Sequence, residues 1–583
     1  MSFEAQQPPT PVGLTAVSAG AADVVSGTVR DVKQLPRATA DAAAFPAKAT
    51  LIPLLLAQFL NSYDSSSMNV AISNIAADLG TTVTGVQTAI SLYLLVMAAG
   101  MITGSKLADI WGRRRTFIIG VTLYGIGAFI TALSPTINVM VLGWSLLEGI
   151  GSCLMIPPIY ILVTVNYRDL KARAAAFGAV SAAAGLGGMA GPLIGGVITT
   201  AVSWRLSFAS EVVVVAIIIL MRGRIIDTGL QGPKPKLDVV GAIISGLGMT
   251  ALVVGALLAG QYGWISARKD FVVAGRTLIE QGGIAPVWLF FAIGAIALLG
   301  FGIWARYRER HQKEPLVPTR VLLDRVAVPG LITQNAQWFL QIGMIFVVSV
   351  YLQVTFEFSA IKTGFTLLPA IIGLMFFSRR AGQLTKKYPA RAILQAGFIV
   401  IELGALALLL MVDANAGAAR FIPGLFLIGS GIGLVMPASV NVVQSAVPDE
   451  DQGAISGVSR SASNLGSSLG TAVAGAVLVS ALIVGVTNLT NESAVLPPEE
   501  KAAIATALEG DVSAVSDTQV RAVLEGQPPA VVDEVVRINA DARNRALALA
   551  LFVLGAVGLF GLGATFFLPG RPAKEQATQT STT

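Results

Sequence analysis

The sequence predicts an all-α polytopic membrane protein, and three observations carry that prediction. Of the 583 residues, 54% are hydrophobic and only 13% are charged, whereas a soluble domain carries about 25% charged residues. Mean hydropathy is +0.72. The apolar residues fall in blocks of about 20, the length that crosses a ~30 Å hydrocarbon core.

Fourteen candidate spans follow from those blocks. They lie near 50–76, 84–107, 115–134, 138–165, 172–200, 205–222, 237–260, 285–307, 327–356, 361–382, 389–412, 419–445, 453–485 and 544–568. Several exceed 25 residues, which implies tilt or extension beyond the membrane.

The charges between the blocks give the orientation. Arg113, Arg114 and Arg115 follow the second span, and Arg168, Lys171 and Arg173 the fourth. Arg222, Arg224, Lys234 and Lys236 follow the sixth, Arg306 to Arg325 supply a cluster after the eighth, and Lys386, Lys387 and Arg391 follow the tenth. Cytoplasmic loops collect Lys and Arg, so these alternate loops and both termini are expected inside. Arg268, Lys269 and Arg276, between spans seven and eight, are the exception and face outward. The net charge of +6 is therefore topogenic rather than a nucleic-acid footprint.

Several chemistries are excluded early. The one cysteine, Cys153, has no partner for an intramolecular disulfide, and the one histidine, His311, falls in a charged loop. Neither a His/Cys metal site nor a Cys–His nucleophile is expected, and no cofactor. Residues 1–48 lack the continuous apolar stretch of a signal peptide and read as a disordered cytoplasmic tail. The last outward loop, 487–542, is acidic through Glu499, Glu500, Glu509, Asp511, Glu525, Asp533 and Glu534. It reads as solvated, with short surface helices near 499–509 and 530–539.

An internal echo divides the chain. Gly149-Ile-Gly151, with Pro157 eight residues after Gly149, recurs as Gly429-Ser-Gly431 with Pro437 at the same interval. Transporters are often built from such repeats, with the substrate site between them. The expected organisation is a tail at 1–48, a six-helix half at 49–223, and two linker helices with their loops at 224–326. A second six-helix half at 327–569 carries the acidic loop, and 570–583 forms a cytoplasmic tail.

The loop after the second span, Gly104-Ser-Lys-Leu107-Ala-Asp109-Ile-Trp-Gly112-Arg113-Arg-Arg, closely resembles the signature loop of the major facilitator superfamily. Gly185-Leu-Gly187-Gly188-Met-Ala-Gly191-Pro192-Leu-Ile-Gly195-Gly196, in the fifth span, resembles the motif shared by that superfamily's exporters. With Trp204-Arg205, Asp64, Asn69-Val70-Ala71 and fourteen spans, the chain is similar to the fourteen-span drug:proton antiporter family over roughly residues 50–570. The resemblance implies the major facilitator fold, two six-helix halves plus two central helices, and multidrug efflux by exchange for protons. It also implies conformational roles for Gly104, Asp109, Gly112 and Arg113, and for Gly187, Gly191, Pro192 and Gly195. Physically, glycines let helix backbones approach closely, a proline interrupts the backbone ladder, and Asp109 suits a basic partner or a helix N-terminus.

The sequence departs from the family in places that matter. Trp144 stands where the family has an arginine in the fourth span, and Glu148 where it has a glutamine. Glu211 replaces the usual asparagine in the sixth span. The second half's signature loop is reduced to Gly382-Gln-Leu-Thr385-Lys-Lys, without an aspartate.

Five ionisable residues fall at membrane depth: Asp64, Glu148, Glu211, Glu402 and Arg460. Each costs at least about 2.5–3.5 kcal/mol at a bilayer centre, so each is a candidate for proton coupling or substrate binding. Glu148, Asp64 and Glu402 are ranked in that order as proton carriers. The structural alternative for each is a carboxylate held by Arg460, a Tyr or an Asn, and for Glu211 a bond to a loop. Gln334, Gln337, Trp338 and Gln341 share a face of the ninth span, and Gln395 shares one with Glu402 on the eleventh. With Trp144, Asn441 and Asn464, these line either a wet cavity or packed amide seams.

The chain lacks a Walker loop, an HExxH and a soluble catalytic domain, so an enzyme or ATP-driven pump does not fit. The two-half layout argues against a channel, and retention of the membrane acids against a sensor. The reading is export of amphipathic, cationic drugs or toxic compounds for protons, by a monomer in the plasma membrane. Export of an endogenous lipid or metabolite is the alternative, because fold does not fix substrate.

Overall fold

The computed structural model describes residues 37–81, 83–167, 169–227, 236–273, 275–385, 387–411, 417–496, 501 and 517–570. Side chains are described outside 37–48 and a few scattered helix positions, among them Asn69, Val70 and Pro192. The chain is almost wholly helical. In order it forms α1 (Arg37–Asp78), α2 (Val83–Trp111), α3 (Arg113–Ala132), α4 (Ile137–Asn166), α5 (Ala172–Ala201), α6 (Trp204–Leu220) and α7 (Val239–Tyr262). A hairpin of β1 (Phe271–Val273) and β2 (Arg276–Ile279) leads to α8 (Pro286–Arg310) and the short α9 (Thr319–Leu322). Then come α10 (Ala327–Thr355), α11 (Ala360–Leu384), α12 (Ala390–Met411), α13 (Phe421–Ser445), α14 (Gln452–Glu492), the short α15 (Asp517–Val523) and α16 (Pro529–Thr565).

Thirteen helices among the described residues are long and apolar enough to cross a membrane, and they match the second to fourteenth expected spans. The first expected span falls within α1, which is not one of those thirteen and starts inside the stretch expected to be a tail. Helix starts follow local chemistry. Asp169, Ser203, Asp238 and Ser359 each accept a backbone N–H of the first turn, which satisfies donors that have no partner inside the helix.

Two apolar cores correspond to the two halves. One is built on Phe117, Tyr124, Trp144, Ile159 and Phe208, the other on Leu340, Val347, Phe398, Leu425 and Leu554. The sequence echo is realised as equivalent packing. A methyl on Gly151 would fall 2.6 Å from the backbone N of Tyr124 in α3, and one on Gly431 would fall 2.8 Å from the N of Ile401 in α12. Gly149 faces Val96 in α2, and Gly429 faces Ala370 in α11. The trio α2–α3–α4 is thus repeated as α11–α12–α13. Helix α2 also packs on α14, and α5 on α11 and α13, which joins the halves. Of the two extra helices, α7 packs on α2 and α14, while α8 packs on α7 and leaves Ile296, Leu299 and Ile303 exposed.

The described part of 487–542, expected as an outward loop, is built largely from extensions of the flanking helices. Helix α14 continues to Glu492 and α16 begins at Pro529, so the last span starts well before residue 544 and 530–539 is its extension. These extensions and α15 bury Leu489, Val520, Val535 and Ile538 in a separate small core. Arg543 pairs with Asp517, and Ser493 donates to Glu534 at 2.6 Å. Apolar side chains at helical spacing on both extensions are the physical reason this segment folds. Apart from Lys501, the stretch 499–509 lies outside the described residues.

Candidate functional site

Asp64, Glu148 and Glu211 come together although they lie on three helices, α1, α4 and α6. Each offers a carboxylate oxygen within 4.8 Å of the others', and all three are fully buried. Local structure explains the convergence. Residues Val141–Glu148 of α4 form a π-helical segment, a feature frequent at functional sites, and it carries both Trp144 and Glu148. Gly127 of α3 opens the space, since a methyl there would fall 2.6 Å from Cγ of Glu148.

The partners of the three acids are neutral. Trp144 Nε1 donates to Asp64 Oδ1 at 2.8 Å, and Tyr124 donates its hydroxyl to Glu211 Oε2 at 2.8 Å. Tyr93 stacks on Trp144 at 5.2 Å between centroids. Asp64 Oδ2, Glu211 Oε1 and both oxygens of Glu148 are buried with no hydrogen-bond partner. Among the described residues no Lys or Arg forms an ion pair with any of the three. Three carboxyl groups thus share one buried site without a basic partner among the described residues.

The exporter motif backs this site. Gly187, Gly191 and Gly195 form a stripe on α5 that meets α1 at the turn bearing Asp64. Methyls there would collide with Phe59 and Tyr63, with Ser66, and with Ser67 at 2.7 Å. Gly191–Gly195 is itself a π-helical turn. The side chain of Pro192 lies outside the described residues, as do those of Asn69 and Val70.

The signature loop lies elsewhere, against the start of α14. Ser105 donates to the carbonyl of Gly453, and the Asp109 carboxylate occupies the space where a Gly453 side chain would be. Gly104 abuts the backbone of Cys153. Gly112 has φ +94°, a conformation open to glycine, and the adjacent Arg114 N–H donates to Asp227. Arg113 is buried.

Arg460 is not joined to the acids. It lies between Tyr160 of α4 and Trp338 of α10, 5.4 and 5.6 Å from their ring centroids, and donates to the Tyr160 hydroxyl at 3.1 Å. Glu402 is separate again. It is half-buried in the seam between α12 and α16, facing Gly555 and Gly558, with Oε1 unpaired. The amide faces divide. Gln334 accepts from Ser459, Gln337 donates to Gln341, Gln444 accepts from Ser456, and Asn441 accepts from Ser445. Gln395 and Asn464 have unpaired amide nitrogens.

Sequence reasoning missed Tyr124, Tyr160 and Gln58. Each is a polar group inside an apolar span, a weaker signal than a charge but a visible one.

Comparisons with known proteins agree with this architecture. The Major Facilitator Superfamily profile matches residues 54–237 and 233–471. The multidrug resistance protein Stp of Mycobacterium tuberculosis is 27% identical over 429 residues, covering 74% of this chain and 75% of Stp. The tetracenomycin C resistance and export protein of Streptomyces glaucescens is 29% identical over 536 residues, covering 91% and 93%. The solved proton:xylose symporter XylE shares the fold at TM-score 0.53 and 11% identity, covering 90% of this chain and 96% of its own. The human organic anion transporter MFSD10 does so at 0.51 and 11%, covering 89% and 99%. The chain is a multi-pass membrane transporter, not an enzyme, and belongs to the major facilitator superfamily.

Proposed function

We propose that the protein is a proton-coupled exporter of amphipathic molecules, working as a monomer in the plasma membrane with both termini cytoplasmic. The single observation that supports this most is the buried triad of Asp64, Glu148 and Glu211, with four unpaired oxygens and no basic partner. Protons neutralise the triad while it is closed off from water. When alternating access opens it, water solvates the acids, protons leave, and a cationic group of the kind expected from the sequence competes for the vacated carboxylates. The α5 glycine stripe keeps α5 in direct contact with the Asp64 turn, so a shift of α5 against α11 moves the acid with it. The relatives named for resistance and export support the outward direction of transport.

The test is a proteoliposome assay. With an imposed proton gradient, internal pH is followed as cationic and neutral amphiphiles are added. Substrate-dependent proton movement that Glu148→Gln or Asp64→Asn abolishes is the expected result. Equal movement in wild type and both variants would contradict the assignment.

A further inference from the structure

Away from the triad, Arg460 is a buried arginine that forms no ion pair among the described residues. Arg460 is 5% exposed, and among the described residues no carboxylate lies within 4.0 Å of it. Its one hydrogen bond goes to Tyr160, whose hydroxyl donates on to Gln58 of α1 at 3.3 Å. Two aromatic faces hold the guanidinium but do not neutralise it. A buried charge without an ionic partner is expensive and calls for a function.

Most of the unpaired groups on the α10 and α14 turns beside it are donors, with Gln337 Oε1 and the Ser461 hydroxyl the exceptions. Arg460 Nε, Trp338 Nε1, Gln334 Nε2 and Asn464 Nδ2 are all buried nitrogens with no acceptor. Gln334 and Trp338 lie one turn apart on α10, and Asn464 lies one turn beyond Arg460 on α14, so the four nitrogens belong to adjoining faces. The oxygens of this α10–α14 seam are already used in part, since Gln334 Oε1 accepts from Ser459. Where the triad offers surplus acceptors, this seam offers surplus donors around a fixed positive charge.

Gln58 lies six residues before Asp64, so the two poles are offset by about 9 Å along α1.

We infer that Arg460 recognises an acidic oxygen, a carboxylate or phenolate, of the exported amphiphile. This deepens the export reading, because it names the substrate class. The triad stays the proton site, and any cationic group of the same molecule is directed to that pole. Arginine suits the task because its planar fork binds carboxylates through two parallel hydrogen bonds and cannot lose its charge.

The experiment measures binding without any proton gradient, so failure of proton coupling leaves it unaffected. Full-length protein in lipid nanodiscs is titrated at pH 7 with pyrenebutyrate, its methyl ester, and the quaternary ammonium analogue. Energy transfer from tryptophan to pyrene is read after subtracting empty nanodiscs. The acid is expected to bind about tenfold more tightly than the ester. Arg460→Gln removes that preference and leaves ester binding unchanged, while Glu148→Gln retains it. Equal binding of acid and ester by wild type overturns the assignment with no variant required. Trp338→Phe keeps the aromatic face but removes one donor, and it lowers acid binding severalfold; an unchanged acid-to-ester ratio in Arg460→Gln contradicts the proposal.

Discussion

Trp144 Nε1 donates to Asp64 Oδ1 at 2.8 Å inside a fully buried site. The family resemblance places an arginine at position 144, and an arginine there would supply a positive charge to the triad. Tryptophan supplies a directed but neutral hydrogen bond, and on the proposed function charge compensation of the three acids falls to protons. Trp144→Arg is therefore expected to fold but to lose substrate-dependent proton exchange, measured in proteoliposomes. Trp144→Phe keeps the stacking on Tyr93 and strands a buried carboxylate oxygen, at a cost of about 1–3 kcal/mol, read as a lower Tm in detergent.

The space for Glu148 depends on Gly127. Because a methyl at 127 would lie 2.6 Å from Glu148 Cγ and 2.8 Å from its backbone N, Gly127→Ala overpacks the α3–α4 contact. A destabilisation of about 1–3 kcal/mol is expected, together with impaired proton exchange. Gly188→Ala is the control. A methyl there meets nothing within 4 Å, so stability and transport remain at wild-type values.

Gly453 is where the signature loop meets the second half. A side chain on Gly453 would collide with the Asp109 carboxylate, so Gly453→Ala pries α2 from α14. Transport is expected to fall severalfold with ligand affinity retained, because the contact belongs to one conformation rather than to the binding groups. Equal losses in affinity and transport would show that the contact serves the folded state as a whole.

Glu402 separates position from chemistry. It lies at membrane depth but faces Gly555 and Gly558 at the α12–α16 seam, away from the other acids. Glu402→Gln is expected to leave proton exchange intact, in contrast to Glu148→Gln. Loss of exchange in Glu402→Gln would place a proton carrier in the second half.

Much of this was legible before any coordinates. Block length and loop charge outlined the spans, because a ~30 Å apolar layer permits few alternatives. The Gly149/Gly429 echo foretold equivalent packing, since close helix approach leaves glycine little substitute. Membrane-depth charge selected Asp64, Glu148 and Glu211, yet not their meeting: that depends on the π-helical segment at 141–148 and on helix rotations set by side-chain packing. For the same reason Arg460, a candidate partner for the acids, lies instead between Tyr160 and Trp338. In 487–542 the acidic residues are evident in the sequence, but the packing of Leu489, Val520, Val535 and Ile538 depends on helix extensions that composition does not reveal.

The central claim is that the triad carries the exchangeable protons. The most direct test is proton release from purified protein in weakly buffered detergent solution, followed with a pH indicator when a cationic substrate is added. Wild type is expected to release protons in proportion to bound substrate. Glu148→Gln, Asp64→Asn and Glu211→Gln should each reduce the release, and the triple variant should abolish it while Glu402→Gln matches wild type. Undiminished release from the triple variant would contradict the account.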